Sequence, residues 1–288
     1  MVHTTATIEA GSFSRLSVYE ECPRRAQYAF CQKIPEPDRG EPHARCPMNP
    51  ETKKREWHND RGTRIHESMD DYIRGITDKY CIELRPLAVE ITNARASYEE
   101  GLVHAEDMWC FKDDWTPTHN RDWNNIWMRI KLDVFNVLEG TLEEPLEAST
   151  IDLKSGKIFG NEVKHAEQLQ LYAVGSFKKY PSLEKAHTEL WYCDQNEVKV
   201  LTYTRKQALK FQKRWDNRMD KMCSDTVFKA RPSQEACRYC PYRTEEDKGS
   251  GHCDVAFSYT KSKVPPKRAP TKGRKKTARK AGSRSRAG

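Results

Sequence analysis

The sequence predicts an α/β domain, a central mixed sheet flanked by helices, and three observations predict it. Helical periodicity dominates the first part of the chain, an alternating apolar run follows, and a long helix separates that run from a later strand pair. At 288 residues the chain can bury one core without staples. Its 36% hydrophobic and 32% charged residues lie on the polar side of globular composition.

The elements follow in order. Ser12-Phe13-Ser14-Arg15-Leu16 opens a helix whose apolar positions Leu16, Tyr19 and Tyr28 flank a Cys22-Pro23-Arg24-Arg25 step. Residues 33–60 read as a polar insertion, because Pro35, Pro37, Pro42, Pro47 and Pro50 forbid regular structure. Ile65, Met69, Ile73 and Ile76 then repeat at helical spacing after Gly62-Thr63, and a further helix is expected over Leu87–Leu102. Trp127–Leu138 alternates as one strand and Thr150–Leu153 as a short second one. Asn161–Tyr180 reads as a long helix, His187–Cys193 and Val198–Tyr203 as a strand pair, and Lys206–Met222 as a last helix.

Charge is unevenly distributed. Residues 261–288 hold twelve Lys or Arg and no acid, so the remaining chain carries 38 basic and 42 acidic residues of the 50 and 42 in total. Such a segment, broken by Pro, Gly and Ser, cannot bury a core. Residues 259–288 are therefore expected to form a disordered basic tail that attracts phosphates of any sequence, with solubilising and nuclear-targeting uses as alternatives. No apolar run approaches the ~18 residues of a membrane span. Nor do Met1–Ser12 have the layout of a signal peptide, so an intracellular, cytoplasmic location is expected. In that reducing setting ten cysteines point to metal or cluster ligation in preference to disulfides.

Asp133 interrupts the apolar strand Ile130–Val137, where a carboxylate is costly unless something pairs with it. Asp152 and Lys154, two apart on a strand, project from one face and set a ligand beside a cation. Hard oxygen donors suit Mg²⁺ or Mn²⁺, and phosphodiester hydrolysis needs such an ion, an activated water and a cation near the developing charge. An isolated D-x-K is most simply a salt bridge, so the weight falls on its surroundings.

Those surroundings resemble the RecB-like and CRISPR-adaptation branch of the PD-(D/E)xK nucleases. There a helical histidine precedes a strand aspartate, a D/E-x-K strand and a helix carrying Q-x-x-x-Y. Here they are His66 in Arg61–His66, Asp133, Asp152-Leu153-Lys154, and Gln168 with Tyr172. The resemblance implies a restriction-endonuclease-like core over residues 1–258. It also implies that His66, Asp133, Asp152 and the Leu153 carbonyl hold Mg²⁺ or Mn²⁺, with Glu106 a further acidic ligand for which Asp107 competes. Lys154 would orient water or steady the phosphate, and Gln168 and Tyr172 would line the substrate groove.

Cys237 and Cys240 form a C-x-x-C followed by Pro241; Cys253 lies beyond it, and Cys22 stands far upstream. Thiolates in this number hold zinc or an iron–sulfur cluster. The resemblance implies that Cys22, Cys237, Cys240 and Cys253 hold a 4Fe-4S cluster joining the two ends of the chain. Twelve residues separate Cys240 from Cys253, more than the family pattern carries, so His252 is a rival ligand. Cys31, Cys81, Cys110, Cys193 and Cys223 read as core or surface thiols, as does Cys46; Cys31, His43, Cys46 and His58 could form a second metal site. The implied function is a metal-dependent DNA nuclease of recombination, repair or replication, an exonuclease that acts on DNA ends with any helicase or recombination partner on a separate chain. The alternatives are a structure-selective endonuclease or resolvase, and a non-catalytic zinc-containing nucleic-acid-binding module.

Overall fold

The computed structural model describes residues 5–156, 158 and 160–257, so the predicted tail at 259–288 lies outside the described residues. In chain order the elements are β1 (Gly11–Ser12), α1 (Phe13–Glu21), α2 (Pro23–Ala26), α3 (His58–Ile73), α4 (Ala88–Glu99), β2 (Val103–Ala105), β3 (Met108–Phe111) and β4 (Pro117–Thr118). They continue with β5 (Met128–Lys131), β6 (Val134–Gly140), β7 (Pro145–Lys154), α5 (Glu162–Lys179), β8 (Lys185–Tyr192), β9 (Glu197–Thr204), α6 (Arg205–Leu209), α7 (Gln212–Cys223) and α8 (Gln234–Arg238).

The central five-stranded sheet has the order β2-β6-β7-β8-β9. It is mixed: β7 and β8 run parallel, joined through α5, while the other pairs are antiparallel. Strand alternation assigns the faces. Val134, Ile151, Leu153 and Trp191 pack with Ile65, Met69 and Ile73 of α3 and Ile91 of α4. The alternate residues Phe135, Val137, Leu190 and Tyr192 pack with Leu169, Tyr172 and Phe177 of α5. Asp152 and Lys154 therefore face α5, whereas α3 approaches from the other side.

A second, four-stranded sheet has the order β1-β5-β3-β4 and adjoins the first, β2 leading into β3 and β5 into β6. This differs from the single strand predicted over Trp127–Leu138. The chain breaks at Leu132-Asp133 and passes from one sheet to the other, and its neighbour breaks at Glu106-Asp107 in the same way. Two backbone bonds weld the paired breaks, Glu106 N–H to the Asp133 carbonyl at 2.8 Å and Leu132 N–H to the Asp107 carbonyl at 2.9 Å. Glu106 takes a left-handed φ of 52°, a strained conformation for a residue with a Cβ that persists where surroundings over-determine it.

The strand over Thr150–Leu153 is longer than predicted, beginning at Pro145, because Ala148 and its neighbours are buried on both faces and read as no alternation. The last predicted helix is two, α6 and α7, the first closed by a Thr204–Gln207 capping box. The insertion is irregular up to α3, with an isolated Met48–Arg55 bridge. Gly175 permits close approach of α5 to β5, since a Cβ there would lie 2.5 Å from Ile130 Cδ1. Among the described residues no helix is long and apolar enough to cross a membrane.

Candidate active site

One open cleft of about 670 Å³ is lined by His66, Glu67, Asp70, Glu106, Asp133 and Asp152, with Lys131, Gln168 and Tyr172. Among the described residues, the ligand atoms of His66, Glu106 and Asp133 form the group lying within 4.8 Å of one another. His66 reaches it from α3, one residue past buried Ile65. Asp133 stands at the break between β5 and β6, so its side chain leaves the ladder. Its Oδ1 meets His66 Nδ1 at 3.0 Å and its Oδ2 accepts the Leu153 N–H at 2.7 Å. Burial opposes protonation of His66, yet the hydrogen bond and charge of Asp133, with Asp152 and Glu106 behind it, win and raise its pKa.

Asp152 is only 4% exposed and is held from α5. Gln168 Nε2 donates to Asp152 Oδ1 at 2.7 Å and to the Tyr172 hydroxyl at 2.6 Å. That hydroxyl lies 2.8 Å from Asp152 Oδ1, to which it can donate, and 3.2 Å from the Lys131 carbonyl. Burial, then the charges of Asp152 and Asp133, push the Tyr172 pKa well up, so it remains a donor. Lys154 pairs with Asp152 Oδ2 and donates to Gln168 Oε1 at 2.9 Å. Asp152 Oδ2 has the Lys154 ammonium as a charge partner but is otherwise a buried oxygen with no well-directed hydrogen bond.

The predicted residues thus converge, with three qualifications of place. Leu153 is buried, presenting its N–H to Asp133, and Lys154 lies behind Asp152 outside the cleft lining. Asp152 is not part of the three-residue group but beside it. Between Glu106 and Asp107, the cleft contains Glu106. The Asp107 carboxylate instead accepts from Met108 N–H at 2.7 Å and Trp109 Nε1 at 2.9 Å. Sequence reasoning missed Glu67, Asp70 and Lys131. Asp70 is four residues beyond His66 and so shares its helix face, while Lys131 sits two before Asp133 and pairs with Glu106 at 2.5 Å.

The donor set fits a hard divalent cation. Glu67, Asp70, Glu106, Asp133 and Asp152 share one cleft against Lys131 in its lining, Lys154 behind Asp152 and Arg74 paired to Asp70 at 2.6 Å, so acids outnumber these cations and a metal ion relieves the imbalance.

His165 lies one turn before Gln168 on α5, its Nδ1 2.8 Å from the Tyr192 hydroxyl. Burial first, then Lys154 and Lys164, lower its pKa from 6.5 to about 4. The unfolded chain therefore takes up a proton that the folded chain refuses between pH 6.5 and 4, and stability falls as pH drops through that window. In chemical denaturation at stepped pH, His165→Gln is expected to flatten this dependence while leaving stability above pH 7 little changed; an equally steep dependence in the variant contradicts the assignment.

A second cavity gathers Cys22, Cys237, Cys240 and Cys253 with Arg25, Tyr28 and small apolar residues. All ten cysteines are free. Arg231 N–H points to Cys22 Sγ at 3.5 Å and Phe257 N–H to Cys237 Sγ at 3.4 Å. Burial raises the Cys240 and Cys253 thiols. His252 is exposed and turns to Ser250 at 2.8 Å, outside this cavity. Around the cavity the two ends of the described chain are tied directly, Tyr28 donating to the His252 carbonyl and Tyr242 to that of Ile34, both at 3.0 Å. The conceivable site at Cys31, His43, Cys46 and His58 does not form: Cys46 meets His43 at 3.1 Å, whereas Cys31 is buried in the main core.

No curated protein matches this chain. Among solved structures, one described as "Crystal structure of SSO0001" is 12% identical, covering 87% of this chain and 88% of that chain with a TM-score of 0.39. The model of the PD-(D/E)XK nuclease superfamily, whose members hydrolyse phosphodiester bonds with divalent metals, matches residues 10–244. That span contains every residue of the cleft and three of the four gathered cysteines, and the chain belongs to the PD-(D/E)XK nuclease superfamily.

Proposed function

We propose that the chain is a DNA exonuclease of the RecB-like branch, trimming DNA ends in recombination, repair or replication alongside a separate helicase or recombination protein. The observation that carries the catalytic reading is the meeting of His66, Glu106 and Asp133 beside the Asp152–Lys154 pair. A Mg²⁺ or Mn²⁺ ion held by His66, Glu106, Asp133, Asp152 and the Leu153 carbonyl would supply Lewis-acid polarisation of the phosphate and acidify its water. The chain's own groups do the positioning. Tyr172 and Gln168 fix the Asp152 carboxylate, and Gln168 also holds the Lys154 ammonium beside Asp152, from where it would orient water or steady the phosphate. Asp133 fixes His66 through Nδ1, which leaves Nε2 as the nitrogen that a metal ion would take.

The four cysteines are read as ligands of a 4Fe-4S cluster. A tetrahedral zinc site needs sulfurs ~4 Å apart. Such a site is the alternative reading of the same four cysteines, which line one cavity together.

End-labelled single- and double-stranded DNA, with free or blocked ends, tests the reading. Mn²⁺-dependent release of short products from free ends, abolished by chelation, is expected; cleavage that ignores blocked ends would replace the exonuclease with an endonuclease.

A further inference from the structure

The four-stranded sheet turns one face, bearing Trp109, Phe111, Met128 and Ile130, into the main core. Its other face carries the alternate residues of β5 and β3. Lys131 pairs across the ladder with Met108, and Arg129 with Cys110. Only a small buried cluster of Ala10, Cys110 and Ile126 packs there among the described residues. Lys131 already lines the cleft, and Arg129 follows two residues away along the strand, ~7 Å further from it. Trp123, from the loop between β4 and β5, stacks on the Arg129 guanidinium with 5.4 Å from Cζ to the ring centroid. It is nonetheless 68% exposed, and Met108 beside Lys131 is 41% exposed.

An indole held by a cation on one side and open to water on the other is a stacking platform, and the residues leading from it to the cleft are cationic. The loop's own carboxylate, Asp122, is taken up by Thr118 at 2.7 Å and Asn125 at 2.8 Å. Resting on the nuclease reading of the cleft, we propose that Trp123, Arg129 and Lys131 form a track for single-stranded DNA, with a base stacked on Trp123 and the adjoining phosphates on Arg129 and Lys131. The track is continuous with the cleft, so the strand enters it from the four-stranded sheet. Base stacking needs an unpaired base, and hence a single-stranded end is the substrate class that this surface selects.

The test uses the full chain and fluorescein-labelled oligo(dT), with Ca²⁺ replacing Mn²⁺, followed by anisotropy. Stacking is sequence-tolerant and contributes ~1–3 kcal/mol per base, so Trp123→Ala is expected to weaken binding on the order of 10-fold. Trp123→Phe should restore most of that loss. The Trp123→Ala defect should persist at raised salt, where phosphate contacts and the basic tail are screened, whereas an Arg129→Gln defect should shrink. Blunt duplex DNA should bind Trp123→Ala as it binds the parent chain. Oligo(dT) affinity unchanged in Trp123→Ala, or a Phe variant as weak as the Ala variant, overturns the track. A chain that binds oligo(dT) through Trp123 but cuts no DNA with Mn²⁺ overturns the nuclease reading instead, and with it the entry route, so the two failures are told apart.

Discussion

Asp152→Asn is expected to lower kcat/KM on end-labelled DNA by on the order of 10³, ~4 kcal/mol of lost transition-state stabilisation. The substitution is chosen because it keeps the shape while removing the charge; the amide NH2 that replaces Oδ2 meets the Lys154 ammonium donor to donor, so Lys154 turns to Gln168 and water. An Asn side chain keeps an acceptor for Tyr172 and for the Gln168 amide, both of which meet Asp152 Oδ1. What disappears is the negative charge facing the cleft and paired with Lys154. Thermal unfolding should move by a few degrees only, because Lys154 retains Gln168 Oε1 at 2.9 Å and is partly exposed to water. Asp152→Ala would instead strip the partners of three polar groups and confuse stability with chemistry. Steady-state cleavage across Mn²⁺ concentrations separates the two causes of a rate loss: activity that high Mn²⁺ restores in full would assign Asp152 to metal affinity alone, and wild-type activity at all concentrations would remove it from the site.

Cys22→Ser is expected to abolish absorbance at about 400 nm in anaerobically purified protein and to lower the melting temperature on the order of 10 °C. Of the four proposed ligands, Cys22 is the one drawn from the N-terminal part of the chain; Cys237, Cys240 and Cys253 all follow α7. Losing it would remove the proposed link between the ends and leave such ties as Tyr28, Tyr242, Arg231 to the Glu20 carbonyl at 2.9 Å, Tyr19 to Asp225 at 2.8 Å and Arg218 to Glu20 at 2.7 Å to hold them. Cys223→Ser serves as the comparison, since Cys223 closes α7 outside the cysteine cavity and should leave spectrum and iron content intact. Iron content in Cys22→Ser equal to the parent protein would remove Cys22 from the ligand set, and stoichiometric zinc in the parent would replace the cluster.

Local pattern made a good part of the site readable. A period of two puts Asp152 and Lys154 on one side of β7, and a period near four puts Gln168 and Tyr172 on one side of α5. The helix at Ile65, Met69 and Ile73 likewise follows from spacing, and it presents the residues that α3 buries. Where reading failed, two elements decided the outcome together. The apparent strand at Trp127–Leu138 alternates from Met128 to Val134 and slips phase at Phe135, a mark too slight to place the break at Leu132-Asp133. The break comes from its partner, where Glu106 adopts a positive φ and crossed backbone bonds lock both chains.

The sequence by itself determined which chemistry is on offer: an acid and a lysine on one strand face, an amide and a phenol on one helix face, and four cysteines near two distant points of the chain. Only the tertiary structure decided that His66 and Asp133, 67 residues apart, share a hydrogen bond, that Glu106 rather than Asp107 enters the cleft, and that Trp123 lies over Arg129. The reason is physical. Side-chain direction along one element is set by backbone geometry within a few residues, whereas the meeting of elements is set by which apolar faces bury together, and for Glu106 by a strained conformation that its neighbour's carbonyl sustains.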